Sequence, residues 1–183
     1  MVKNTQCHSK KASSTLVRNE NMNNNGAAQF NLCNKVHLLA TGFGSGLAPV
    51  SPGTFGTVAA IPFYLAFVYL PQYWFWLFTI FTCLIGPYIC GKAADDIGVH
   101  DHKAIVWDEF AGFFITMCFV PFSWLNVVVG FVLFRFFDII KPWPISYLDK
   151  KVHGGLGIMI DDIVAGLISA ALLVYLQPYL LSL

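Results

Sequence analysis

Residues 105–120 read IVWDEFAGFFITMCFV. Asp108 and Glu109 stand at the head of a run that carries no further charge until Arg135. Such a run is soluble in lipid, so carboxylates at its head need a reason, and ionisable groups at membrane depth are usually functional. Outward from this stretch the same contrast repeats. All eleven Lys and Arg and all ten Asp and Glu fall in three blocks, residues 1–35, 92–109 and 135–162. The stretches 36–91, 110–134 and 163–183 carry none. A membrane span needs about 20 apolar residues to cross about 30 Å of hydrocarbon. The pattern predicts an integral membrane protein, and 183 residues suffice for one domain with no second sizeable core.

Proline punctuates the uncharged runs. Leu70-Pro71-Gln72 divides the first into helices expected over 54–70 and 72–90. Val120-Pro121-Phe122 divides 104–140 into helices over 104–120 and 124–140, because an interior proline usually kinks or ends a helix. A last span over 161–181 is headed by Asp161 and Asp162. Five crossings place every basic residue on one side, which the positive-inside rule makes the cytoplasm, together with the N-terminus. The expected architecture is an all-α multi-pass bundle of about five membrane helices, with a Gly-rich cytoplasmic segment before the first. Residues 1–34 are polar and Asn-rich, and are expected to be a disordered cytoplasmic tail ahead of the 35–183 membrane domain. They contain no apolar core of a signal peptide.

This topology gathers the acids outside the tail onto one face: Asp95, Asp96 and Asp101 in a loop, then Asp108, Glu109, Asp138, Asp149, Asp161 and Asp162. Clustered carboxylates favour a hard cation bound through oxygen, and Mg²⁺ held together with substrate phosphate is the usual case. Arg135 and Asp138 share a helix face, and Lys141 follows just before Pro142. Upstream, TGFGSGLAPVSPGTFGT (41–57) leads into a helix whose N-terminus near Thr54 would aim amides and positive dipole at a phosphate. It lacks the Gly-Lys-Ser/Thr of a Walker loop.

Plainer readings stand beside these. Asp161-Asp162 and Asp108-Glu109 could cap their helices. Arg135–Asp138 could be a structural ion pair, the Gly-rich stretch a bare loop, Asp95-Asp96 solvated surface, and His100, His102 and His153 loop residues. The five cysteines (Cys7, Cys33, Cys83, Cys90, Cys118) have no metal spacing and read as small hydrophobes. No basic stripe with interleaved aromatics suggests nucleic acid.

Metal-binding acids beside Arg and Lys at a membrane point to a phosphorylated lipid. The cysteine-phosphatase loop, the Asp-x-Asp-x-Thr/Val of haloacid dehalogenase-type enzymes, the CDP-alcohol phosphotransferase motif and the Pro-Ser-Gly-His of lipid phosphatases are all missing from the sequence. Four motifs in order, GFGSGLAPVSPGTFGT, GVHDHKAIVWDEFAG, FRFFDIIKPWPI and VHGGLGIMIDDIVAG, resemble those of the phosphatidylglycerophosphatase A family of bacterial inner membranes. The resemblance runs from about His37 to about Leu172.

It implies a Mg²⁺-dependent lipid phosphatase that converts phosphatidylglycerophosphate to phosphatidylglycerol in phospholipid biosynthesis, with its active face toward the cytoplasm. Carried over onto this chain, Asp108, Glu109, Asp138, Asp161 and Asp162 are the expected catalytic acids. Asp95, Asp108, Glu109, Asp161 and Asp162 are the expected metal ligands. Arg135 and Lys141, with Ser45, Gly53, Thr54 and Thr57, are the expected phosphate-binding residues. Attack by water and attack by a carboxylate both stay open. Two other classes compete: a small cation transporter, whose pathway would also carry intramembrane acids, and a non-catalytic scaffold.

Overall fold

The computed structural model describes residues 30–99 and 102–180, so the proposed tail up to residue 29, His100 and Asp101 lie outside the described residues. Within them the chain is helical throughout, with no strand. Seven α-helices follow in order: α1 Lys35–Ala40, α2 Pro52–Phe67, α3 Gln72–Ile97, α4 Trp107–Met117, α5 Trp124–Ile140, α6 Ile145–Lys151 and α7 Gly154–Leu180. A 3₁₀ turn, Ser45–Leu47, lies between α1 and α2. Phe30 is already buried, edge-on to His37 and His102, and Asn34 caps α1 through its side chain.

The prolines act as expected between helices. α2 and α3 flank Pro71, and α4 and α5 flank Pro121. Two expectations need correction. α7 does not begin at Asp161 but at Gly154, so Asp161 and Asp162 sit two turns inside a helix and cap nothing. Gly154, at φ 75°, turns the chain so that the following glycines can start the helix early. Likewise α3 runs on past Lys92 to Ile97, which puts Asp95 and Asp96 in its last turn rather than in a loop. Gly98, at φ 70°, ends it by returning its N–H to the carbonyls of Ala94 and Asp95.

Among the described residues, α3 and α7, with 26 and 27 residues, are the helices long and apolar enough to cross a membrane by themselves. At 1.5 Å per residue each is about 40 Å long, whereas α4, with 11 residues, reaches about 16 Å. α4 is the axis of the fold. Phe110, Phe113, Phe114 and Met117 are almost wholly buried, and α2, α3, α5 and α7 surround it. Its rings meet Phe63, Tyr64, Phe75 and Phe78 of α2 and α3 edge-on or tilted, the arrangement aromatic quadrupoles favour.

Backbone meets backbone where α4 crosses α7. A Cβ on Gly166 would lie 2.5 Å from the Gly112 carbonyl oxygen, and one on Gly112 would lie 2.8 Å from that of Asp162. Small residues permit this approach, as in tightly packed membrane helices. Thr116 completes the junction, its hydroxyl donating to Gly112 O at 2.9 Å and to Gly166 O at 3.4 Å. Both glycines lie one turn beyond the acids of their helices, so the contact holds Asp108 and Glu109 against Asp162.

Candidate active site

One end of the bundle encloses a polar cavity of about 350 Å³. Four elements build it. α2 brings its N-terminal turn, Ser51 to Thr54; α4 brings Asp108 and Glu109; α5 brings Arg135, Asp138 and the following Lys141; α7 brings Asp161 and Asp162. Five carboxylates thus line it together with three cations, Lys103, Arg135 and Lys141. Counted formally, that is an excess of two negative charges, which a divalent cation would cancel.

The carboxylates divide into two groups. Asp138 is tied to Arg135, Nη1 to Oδ2 at 2.5 Å, and Asp161 to Lys141 Nζ, also at 2.5 Å. Asp108, Glu109 and Asp162 instead turn toward one another, each with an oxygen within 4.8 Å of the others'. Asp108 Oδ1 and Glu109 Oε2 are buried and find no hydrogen-bond partner in the protein. Burying an unpaired carboxylate oxygen is costly. Three converging hard oxygen donors with orphaned atoms fit Mg²⁺, which binds through one or two carboxylates and leaves positions for phosphate and water. The chemistry of the donor set therefore suits the metal.

Arg135 joins the two groups. Its Nη1 lies 3.8 Å from Glu109 Oε1 as well as beside Asp138. Gly53 sits against both partners, for a Cβ there would come within 2.2 Å of Glu109 Oε1 and 3.0 Å of Arg135 Nη1. The first turn of α2 can approach the charged cluster only because residue 53 has no side chain. Backbone strain also gathers here. Ser51 and Lys141, both lining the cavity, adopt left-handed φ of 48° and 45°, a conformation costly for non-glycine residues and common at functional sites. At Lys141 it ends α5 with a bond from its N–H to Phe137 O at 2.9 Å, while the side chain meets Asp161.

Comparison with known proteins gives this geometry a family. The sequence profile of phosphatidylglycerophosphatase A matches residues 38–177. The chain belongs to that family. The phosphatidylglycerophosphatase A of Escherichia coli is 51% identical over 150 residues, covering 81% of this chain and 87% of the relative. That of Haemophilus influenzae is 45% identical over 162 residues, covering 86% and 98%. A Bacteroides thetaiotaomicron relative, provisionally described as a phosphatidylinositol-3-phosphatase, is 34% identical over 144 residues, covering 74% and 89%. No solved structure matches the chain. Membership of the phosphatidylglycerophosphatase A family makes the chain a phosphatase.

Most residues expected of the site come together in the cavity: Gly53, Thr54, Asp108, Glu109, Arg135, Asp138, Lys141, Asp161 and Asp162. Three do not line it. Asp95 is exposed on the last turn of α3. Ser45 donates its hydroxyl to Gly42 O at 2.8 Å, inside the loop that precedes α2. Thr57 is fully buried and donates to Gly53 O at 2.9 Å, bracing the turn rather than facing the cavity. Conversely Ser51, Pro52, Lys103, Ile105 and Ile139 line the cavity without having been expected there. Lys103 and Ile105 belong to the same HDHKAIVWDE stretch as the acids, and Ser51 and Pro52 directly precede Gly53, so proximity in sequence was the available signal.

Proposed function

We propose that this phosphatase removes the terminal phosphate of phosphatidylglycerophosphate, releasing phosphatidylglycerol and inorganic phosphate in a Mg²⁺-dependent reaction. The observation that carries the reading is the joining, in one cavity, of three metal-competent carboxylates with Arg135, Lys141 and the N-terminus of α2. Asp108, Glu109 and Asp162 would hold the metal. Bound there, Mg²⁺ supplies Lewis-acid polarisation of the phosphoryl group and neutralises its charge.

The chain's own groups do the rest. Arg135, oriented by Asp138, offers its guanidinium to the phosphoryl oxygens, whose charge grows in the transition state. The amides of the first α2 turn, which Gly53 lets approach closely, bind the same oxygens with the helix dipole behind them. Lys141, held by Asp161, adds a cation on the α5–α7 side. Burial of the cluster among apolar helices strengthens each of these interactions relative to bulk water.

In the same reading the protein is a multi-pass protein of the bacterial inner membrane. α2, α3, α4, α5 and α7 pass through the bilayer, with the N-terminus and the cavity at the cytoplasmic face. α4, too short to span alone, is sheathed by its neighbours and so needs no lipid-facing length. The acyl chains stay among the lipids, and only the headgroup reaches the carboxylates. Family membership favours hydrolysis over ion transport.

Phosphate release from phosphatidylglycerophosphate in mixed micelles tests the reading. Purified protein should release phosphate with Mg²⁺, stop when the metal is chelated, and lose activity in Asp162→Asn. No release from folded, Mg²⁺-supplied protein would overturn the substrate assignment, and other lipid phosphates would be next. A single turnover in ¹⁸O-water separates the two attack routes, since label in an enzyme carboxylate would mean that a carboxylate attacks.

A further inference from the structure

The outer surface of α5 leads from the apolar end of the bundle to the mouth of the cavity. Val128, Val132, Phe136, Ile139 and Ile140 are all more than half exposed, at helical spacing along one side. Ile139, the outermost of them at 68% exposure, also lines the cavity. Beyond α5 comes Trp143, 81% exposed between Pro142 and Pro144, and then Tyr147 on α6 at 50%. α6 is pinned beneath by Ile145, which is fully buried, so the two rings are displayed on a fixed base. Lys151 closes the series with its ammonium 4.6 Å from the centre of the Tyr147 ring. Residues 143–151 carry two lysines and one aspartate.

An exposed stripe of this kind in water would be a liability. Its order is the order a bilayer imposes: apolar groups among the tails, Trp and Tyr at the interface, lysine among the phosphates. We infer that the Trp143–Lys151 connector seats the cavity mouth at headgroup level in an anionic bilayer, so that the substrate lipid enters sideways past Ile139. The inference rests on the phosphatase reading and adds the route and depth of the substrate. The reacting phosphate then reaches Arg135 while the acyl chains remain in the bilayer. The basic balance of the connector suits both an anionic membrane surface and an anionic lipid substrate.

Surface kinetics test this. Full-length protein is assayed on phosphatidylglycerophosphate in phosphatidylcholine vesicles and, separately, on a dihexanoyl analogue dissolved as monomer. In a Trp143→Ala/Tyr147→Ala variant the interfacial KM, in mole fraction, should rise about tenfold with kcat within about twofold. Turnover of the soluble analogue should be unchanged, and Trp143→Phe should behave as wild type. Adding phosphatidylserine to the vesicles should lower the wild-type interfacial KM, and Lys151→Glu should remove that response. An equal loss on both substrates, or none on either, would overturn the inference. Wild-type protein inert toward both substrates would instead refute the phosphatase reading.

Discussion

Two cavities of similar size lie near opposite ends of α4. One, of about 350 Å³, is the polar cavity at Asp108 and Glu109. The other, of about 420 Å³, opens among Trp76, Ile80, Cys83 and Leu84 of α3, Ile115 of α4 and Leu167 of α7. The second is the larger and is almost wholly apolar. Polar groups along its wall are already occupied: Trp76 donates to Cys118 O at 2.8 Å, and Thr79 to Phe75 O at 2.9 Å. In the first, buried carboxylate oxygens of Asp108 and Glu109 have no partner. Volume therefore does not separate a candidate reactive site from a crevice between apolar helices. Unspent charge and hydrogen-bonding capacity do.

The sharpest way to break the comparison is to remove one of those charges. Glu109→Gln should lower kcat by about a thousandfold or more, because it removes a negative charge from the proposed metal site and the second carboxylate beside Arg135. Binding of Mn²⁺ as a paramagnetic substitute should weaken in parallel. Normal metal binding and normal turnover in this variant would remove Glu109 from the site. A subtler change leaves every charge in place. Gly53→Ala would put a methyl group 2.2 Å from Glu109 Oε1, so the cluster or α2 must move by about 1 Å. Misplacement of that size can cost about a hundredfold in kcat. A variant as active as wild type would mean that the first turn of α2 does not approach the substrate. At the far end, Leu84→Ala truncates a side chain that is 74% exposed on the apolar cavity. Activity should stay within about twofold and stability within about 0.5 kcal/mol. A large loss of activity there would make the apolar cavity part of the enzyme's working surface.

The helices were legible because lipid solubility and proline leave strong marks. Three uncharged runs and the breaks at Pro71 and Pro121 located α2, α3, α4, α5 and most of α7. The starts and ends were less legible. The last span was expected to start at Asp161, yet α7 begins at Gly154, and a Cβ on Gly155 would fall 1.8 Å from Pro87 O. Gly155 serves a close crossing with α3 that local sequence does not announce. The tail up to residue 29 stays an expectation from composition.

Within the site, sequence determined the residue types and their helical partners. Arg135 with Asp138, Asp108 with Glu109, and Asp161 with Asp162 were bound to lie close, since neighbours on a helix share a turn. It also pointed to their gathering at one end of the bundle, because charge is absent from the long apolar runs between them. Direction was the tertiary structure's decision. Consecutive residues on a helix point about 100° apart, so of two adjacent exposed acids in α3 it is Asp96, and not Asp95, that meets His37 and Lys92. Likewise the separation of the metal-competent acids follows from the Gly112–Gly166 contact, a distance between two backbones that meet only after folding. Composition and periodicity specify which groups a helix carries. Where those groups converge depends on rotation and spacing between helices, and packing alone sets those.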